Sequence, residues 1–216
     1  MRISSPRCAA FARVVSTFAM AQFLSAQGLP ARATPTDYQA QAKAGPVTIG
    51  AEFTGHGIPN AQQPLNAEDY VAVEVGLFGA ADARLTIGPT DFSLRINGKK
   101  DLLPSQPWGL VAKGVKDLEW VSPDAVPGES KSKGSVNGGG GGGQGGSTLP
   151  PPPPKVPIDV LRGWQLAVKN AALAQGDRAL PQAGLIYFPY RGKVTSIRSL
   201  ELIYEGPAGT ASLTLQ

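Results

Sequence analysis

GLIYFPYRGKVTSIRSLELIYEGPAGTASLTLQ, residues 184–216, reads as three short strands joined by two turns. Leu185, Tyr187 and Phe188 form an apolar, aromatic run that suits a pleated, packed surface better than a helix. Arg191-Gly192-Lys193 supplies turn chemistry. From Leu200 the alternation is clean: Leu200, Leu202 and Tyr204 point one way, Glu201, Ile203 and Glu205 the other. Gly206-Pro207-Ala208-Gly209 marks a second turn. Ala211, Leu213 and Leu215 then share one face of a last strand, the pattern of an antiparallel sheet with one wet face. Three strands leave an apolar face open, so the rest of the chain must supply a second layer.

Upstream, the clearest strand is DYVAVEVGLF, residues 69–78. Val71, Val73, Val75 and Leu77 fall on one face, and the β-branched run argues against a helix. Val47, Ile49, Ala51 and Phe53 alternate in residues 46–53. RLTI (84–87) and DFSLRIN (91–97) follow, and Asn97-Gly98 is a two-residue hairpin turn returning through 99–103. Residues 117–121 (DLEWV) allow one more strand. Residues 158–175 have helical spacing, with Leu161, Trp164, Val168 and Ala171 on one face, Asp159 as a cap and Gly176 as a stop. Trp164, Leu166 and Val168 also fit strand alternation. Seven or eight short strands with turns every 8–12 residues suggest a mainly β, immunoglobulin-like antiparallel sandwich with one short helix.

Residues 122–157 differ in kind. They hold six consecutive glycines (138–143) and five consecutive prolines (150–154), which read as a disordered spacer. Lengthening a short loop to this size costs only about 1.6 kcal/mol of closure entropy. The expectation is one domain over 46–216 with this insertion; two domains, one on each side, is the alternative.

The chain carries 20 Lys and Arg against 16 Asp and Glu, a formal charge of +4. Arg2, Arg7 and Arg13 lie in an N-terminal segment with no acid before Asp37. Without those three arginines the balance is 17 to 16, which gives no electrostatic case for nucleic acid. Arg2 and Arg7 precede a short apolar run, and two A-x-A sites follow at Ala19-Met20-Ala21 and Ala31-Arg32-Ala33. This resembles a secretory signal over 1–33, cleaved between Ala26 and Ala33; an amphipathic N-terminal helix is the alternative. The run is too short for the roughly 20 apolar residues of a membrane span. Residues 34–45 read as a flexible lead-in. Cys8, the only cysteine, leaves with the signal, so the mature chain has no disulfide and no thiolate chemistry.

No catalytic or metal constellation emerges. His56 is the only histidine and cannot build a histidine metal site. The glycine run satisfies a nucleotide-binding pattern without the strand and helix that pattern needs. Ser130 to Lys133 matches S-x-x-K without its partner motifs. Glu68 and Asp69, like Glu201 and Glu205, are near-neighbour carboxylates that solvated faces explain. The expected cofactor set is therefore empty. Trp108, in the loop Gln106-Pro107-Trp108-Gly109, is the candidate exposed aromatic, and Tyr190 and Arg191 are further candidate binding residues. Two functions fit: a non-enzymatic exported module contacting a protein or envelope component, or a small-ligand or glycan-binding module using loop aromatics.

Tyr70 to Val75, Ile87, Asp91 to Leu94 and Gly98 follow a "yvvvdv" strand leading to an "i.p.dFsL…G" hairpin. This resembles the first half of immunoglobulin-like extracellular domains of the DUF4352 kind. The resemblance implies a sandwich exposed outside the cytoplasm, without a disulfide here, and carries over no catalytic residue.

Overall fold

The computed structural model describes residues 28–60, 64–117, 120 and 156–216. Two four-stranded antiparallel sheets form the sandwich. The first runs β1 (Ala40–Ala44), β2 (Val47–Gly55), β5 (Tyr70–Phe78), β10 (Gln182–Pro189). The second runs β12 (Gly209–Thr214), β11 (Leu200–Gly206), β7 (Phe92–Ile96), β8 (Leu103–Pro104). Two small ribbons complete the β structure: β3 (Gly57–Ile58) with β4 (Leu65–Asn66), and β6 (Arg84–Ile87) with β9 (Gly176–Ala179). The strands after residue 156 pair with strands from before residue 118 in both large sheets, so the two stretches complete each other's layers.

The main core lies between the sheets. Val71, Val73, Val75 and Leu77 of β5 meet a layer that includes Leu94 of β7 and Leu202 and Tyr204 of β11. These are the residues whose alternation the sequence displays, and their burial is the dominant driving force. A second core covers the outer face of the first sheet. Ala72, Leu185 and Tyr187 project outward there and are roofed by α1 (Trp108–Val111) and α2 (Ile158–Ala171). Trp164, Val168 and Ala171 are the buried stripe of α2, as helical spacing predicts. The buried Tyr187 hydroxyl donates to the Val168 carbonyl at 3.2 Å. Burial pushes its ionisation well above the ordinary tyrosine range.

Several elements differ from expectation. In place of a flexible lead-in, residues 34–45 hold a short 3-10 turn (Pro35–Asp37) and β1. Gly45 (φ 55°) turns β1 back onto β2, and that ladder supplies what the alanine-rich sequence lacks. Pro157, not Asp159, occupies the N-cap position of α2, without a side-chain capping bond, and the helix stops at Ala171, so Gly176 opens β9 instead. Asp117 and Trp120 lie outside any strand; the remainder of that expected strand, residues 1–27 and residues 121–155 are outside the described residues. Trp120 meets Trp164 edge to face at 6.5 Å, and Val156 packs on the same second core.

The remaining outer face of the first sheet is closed by residues 28–38. Leu29 N–H donates to the Ala183 carbonyl at 3.0 Å and Gly28 N–H to the Asn170 carbonyl at 2.8 Å. Tyr38, only 6% exposed, lies over Gly50 and Gly76, which are cross-strand partners. A Cβ on Gly50 would come within 2.5 Å of the tyrosine ring, so glycine here makes room for an aromatic lid. Arg32 crosses beside it. Its guanidinium lies 4.5 Å from the Tyr38 centroid and bridges the cross-strand pair Glu52 and Glu74 at 2.5 and 3.1 Å. The second guanidinium nitrogen to reach Glu74, Nε, does so at 3.2 Å, completing a fork.

Candidate functional site

The register of β5 and β10 places Pro189 opposite Tyr70, so Asp69 and Tyr70 emerge beside Tyr190 and Arg191. The Tyr190 N–H donates to the Asp69 carbonyl at 2.9 Å and holds that junction. Across from it stands the β7–β8 hairpin. Asn97 and Gly98 adopt φ of 54° and 64°, the left-handed pair that a tight hairpin turn requires. The Asn97 side chain ties the hairpin to the loop before β11: its amide donates to the Ser196 carbonyl at 3.1 Å, and its oxygen accepts from the Arg198 N–H at 2.6 Å. Between these two walls lies a cleft of about 770 Å³, inside the range of small-ligand sites.

The walls are built differently. On the β10 side, Tyr190 is fixed in two ways. Its ring stacks on His56, with centroids 6.3 Å apart and planes 20° apart. Its hydroxyl meets Ser196 Oγ at 2.7 Å, and Ser196 Oγ in turn donates to the Lys193 carbonyl at 2.7 Å. His56 itself is a staple: Nδ1 faces the Tyr70 carbonyl at 2.7 Å and Nε2 the Gly192 carbonyl at 3.0 Å. Arg191 Nε pairs with Asp69 Oδ1 at 2.9 Å, an exposed pair. On the hairpin side, Lys99 and Asp101 line the cleft and are exposed. Among the described residues neither side chain has an ion-pair or hydrogen-bond partner. Tyr70, Ile96, Leu103 and Pro189 give the floor an apolar surface.

Of the three residues singled out by sequence, Tyr190 and Arg191 come together in this cleft, and Trp108 does not. Trp108 opens α1 and is half-buried on the second core, with Lys169 Nζ 5.8 Å from its ring centroid. It borders a crevice of about 30 Å³. Sequence reading treats Asp69 as a solvated carboxylate and passes over Lys99 and Asp101. The one signal available for the last two is their position just after the Asn97-Gly98 turn, since hairpin tips present their side chains to solvent.

Among the described residues no group of three or more His, Cys, Asp and Glu is arranged to hold a metal ion. No described helix is long and apolar enough to cross a membrane. No family model, curated protein or solved structure matches the chain. The likeness to DUF4352-type domains therefore stands on its strand pattern alone.

Proposed function

We propose that the protein is an exported, non-enzymatic binding module that holds a small ligand between the β7–β8 hairpin and the β5–β10 end. One observation carries this reading: a rigid aromatic wall at Tyr190 faces a wall whose Lys99 and Asp101 are unpaired among the described residues. A site that is already ordered loses little freedom when a ligand arrives. Unpaired charges facing a cleft are groups a ligand can satisfy. The basic N-terminus followed by an apolar run supports export.

Fragment screening by amide-shift NMR on the exported protein tests the proposal. Hits should perturb the amides of Asp101, Tyr190 and Arg191. Hits that map to the Trp108 crevice instead, or a turnover activity that survives purification, would overturn it.

A second reading, contact with a protein or envelope component, draws on Leu110, Ile158 and Leu166. These apolar side chains on α1 and α2 are 43%, 62% and 55% exposed. Replacing all three with serine should abolish such a contact while leaving fragment binding in the cleft intact.

A further inference from the structure

We infer that the cleft takes a neutral, polyhydroxylated ligand, an oligosaccharide of a few rings. The inference rests on the proposed binding role of the cleft and adds the chemistry of what is bound.

Charge comes first. The lining carries two acids, Asp69 and Asp101, and two bases, Lys99 and Arg191. An anionic ligand drawn to Lys99 and Arg191 meets Asp69 and Asp101 on the same walls, and a cationic ligand meets the reverse. Like charges facing each other across a site cost free energy, so a balanced lining selects against both. A hydroxyl group suits the balance, because it donates to a carboxylate and accepts from an ammonium or guanidinium at once. Lys99 and Asp101 stand two residues apart on the hairpin, and each wall offers one cationic and one anionic side chain, those of the β10 side, Arg191 and Asp69, being joined at 2.9 Å.

Shape comes second. The C–H face of a sugar ring packs on an aromatic face, and a tyrosine supplies that area at little entropic cost when it is already held. Tyr190 is held by the His56 stack and by its hydroxyl contact with Ser196. Tyr70 adds a second ring to the lining, and Ile96, Leu103 and Pro189 extend the apolar floor. A cleft of about 770 Å³ exceeds what a single sugar ring fills.

The test is amide-shift NMR of the exported protein with cellotriose, chitotriose and maltotriose. Trigalacturonate and trilysine are the charged probes. At least one neutral trisaccharide should shift the Asp101, Tyr190 and Arg191 amides at millimolar concentration. Asp101→Ala and Lys99→Ala should each weaken that binding about tenfold, the effect of one lost hydrogen bond to a charged group. Neither side chain has a described partner to lose, so both variants should keep the wild-type spectrum elsewhere. If only trigalacturonate or trilysine shifts these amides, the ligand class is wrong while the cleft remains a binding site. If no probe shifts them, the oligosaccharide inference fails, and fragment hits elsewhere on the surface would remove the cleft as well.

Discussion

The clasp over the first sheet and the cleft at the end of the sandwich carry a similar mix of charges and treat them in opposite ways. At the clasp, Arg32 joins Glu52 and Glu74, and its guanidinium also donates to the Asp37 carbonyl at 2.6 Å. The two glutamates pull the arginine's ionisation upward, mainly through the Glu74 hydrogen bond. At the cleft, Lys99 and Asp101 stand close in sequence and remain unpaired among the described residues. The clasp closes its charges into a circuit between strands; the cleft closes one pair, Arg191 with Asp69, and leaves Lys99 and Asp101 facing its concavity.

The sharpest way to break this contrast is at the lid. Tyr38→Ala removes a ring buried over two cross-strand glycines and should cost about 3 kcal/mol in a urea unfolding titration. Gly50→Val forces the same ring away and should cost about 2 kcal/mol. An unchanged midpoint in both would mean that the clasp decorates the sheet without supporting it.

Arg32→Ala leaves Glu52 opposite Glu74 with no cation between them. About 1 kcal/mol should be lost, discounted for partial exposure, and the loss should shrink in high salt. A related outcome concerns processing. Gly28 and Leu29 are hydrogen-bonded into the fold and Arg32 into the clasp. Mass spectrometry of the exported chain should therefore find its first residue at or before Gly28. A chain beginning at Thr34, the residue after Ala33, would lack Arg32 and show its ion pairs to be dispensable.

Lys99→Ala and Asp101→Ala mark the other pole. Each should move stability by less than about 0.5 kcal/mol, measured by thermal melting, while weakening ligand binding. A larger stability loss would mean that these charges serve the fold after all.

The smallest effect is at an intermediate site. On the outer face of the second sheet, Glu201 accepts a hydrogen bond from Ser212 and pairs with Arg95 at 2.5 Å. The Ser212 bond, with Arg95 helping, holds the carboxyl below its ordinary range. A depressed folded value means this contribution is present above the unfolded value of about 4.3 and is lost as pH falls through the folded one. Ser212→Ala should lower the melting temperature slightly at pH 7, leave it unchanged in acid where the carboxyl is protonated in both states, and so flatten its decline below about pH 5.

Strands that bury one face against the main core are legible in sequence. Val71, Val73, Val75 and Leu77 announce β5, and Leu200, Leu202 and Tyr204 announce β11. β1 is not, because Ala40, Ala42 and Ala44 carry little β preference and become a strand only through the ladder with β2. β9 is not, because Gly176–Ala179 is exposed throughout and owes its form to pairing with β6. The second core is hidden for a related reason. Ala72, between Tyr70 and Glu74, reads as part of a solvent face until α1 and α2 cover it. Trp108 reads as exposed because Pro-Trp-Gly suggests a loop, where a helical turn packs instead. Tyr190 and Arg191 stand out as turn residues after an aromatic strand. Their meeting with Lys99 and Asp101 depends on a fold that joins residues some ninety positions apart, and no local pattern encodes that.

Trp120 and Val156 flank residues 121–155, and both rest on the core beneath α2. The described residues on either side of 121–155 therefore rest on one core, and the pairings among the described strands join residues outside that segment. This makes the position a natural splice port. A compact reporter domain with neighbouring termini could replace the glycine and proline tracts without altering the topology of either sheet. Such a chimera would carry its cargo on the helical side and present the cleft unchanged.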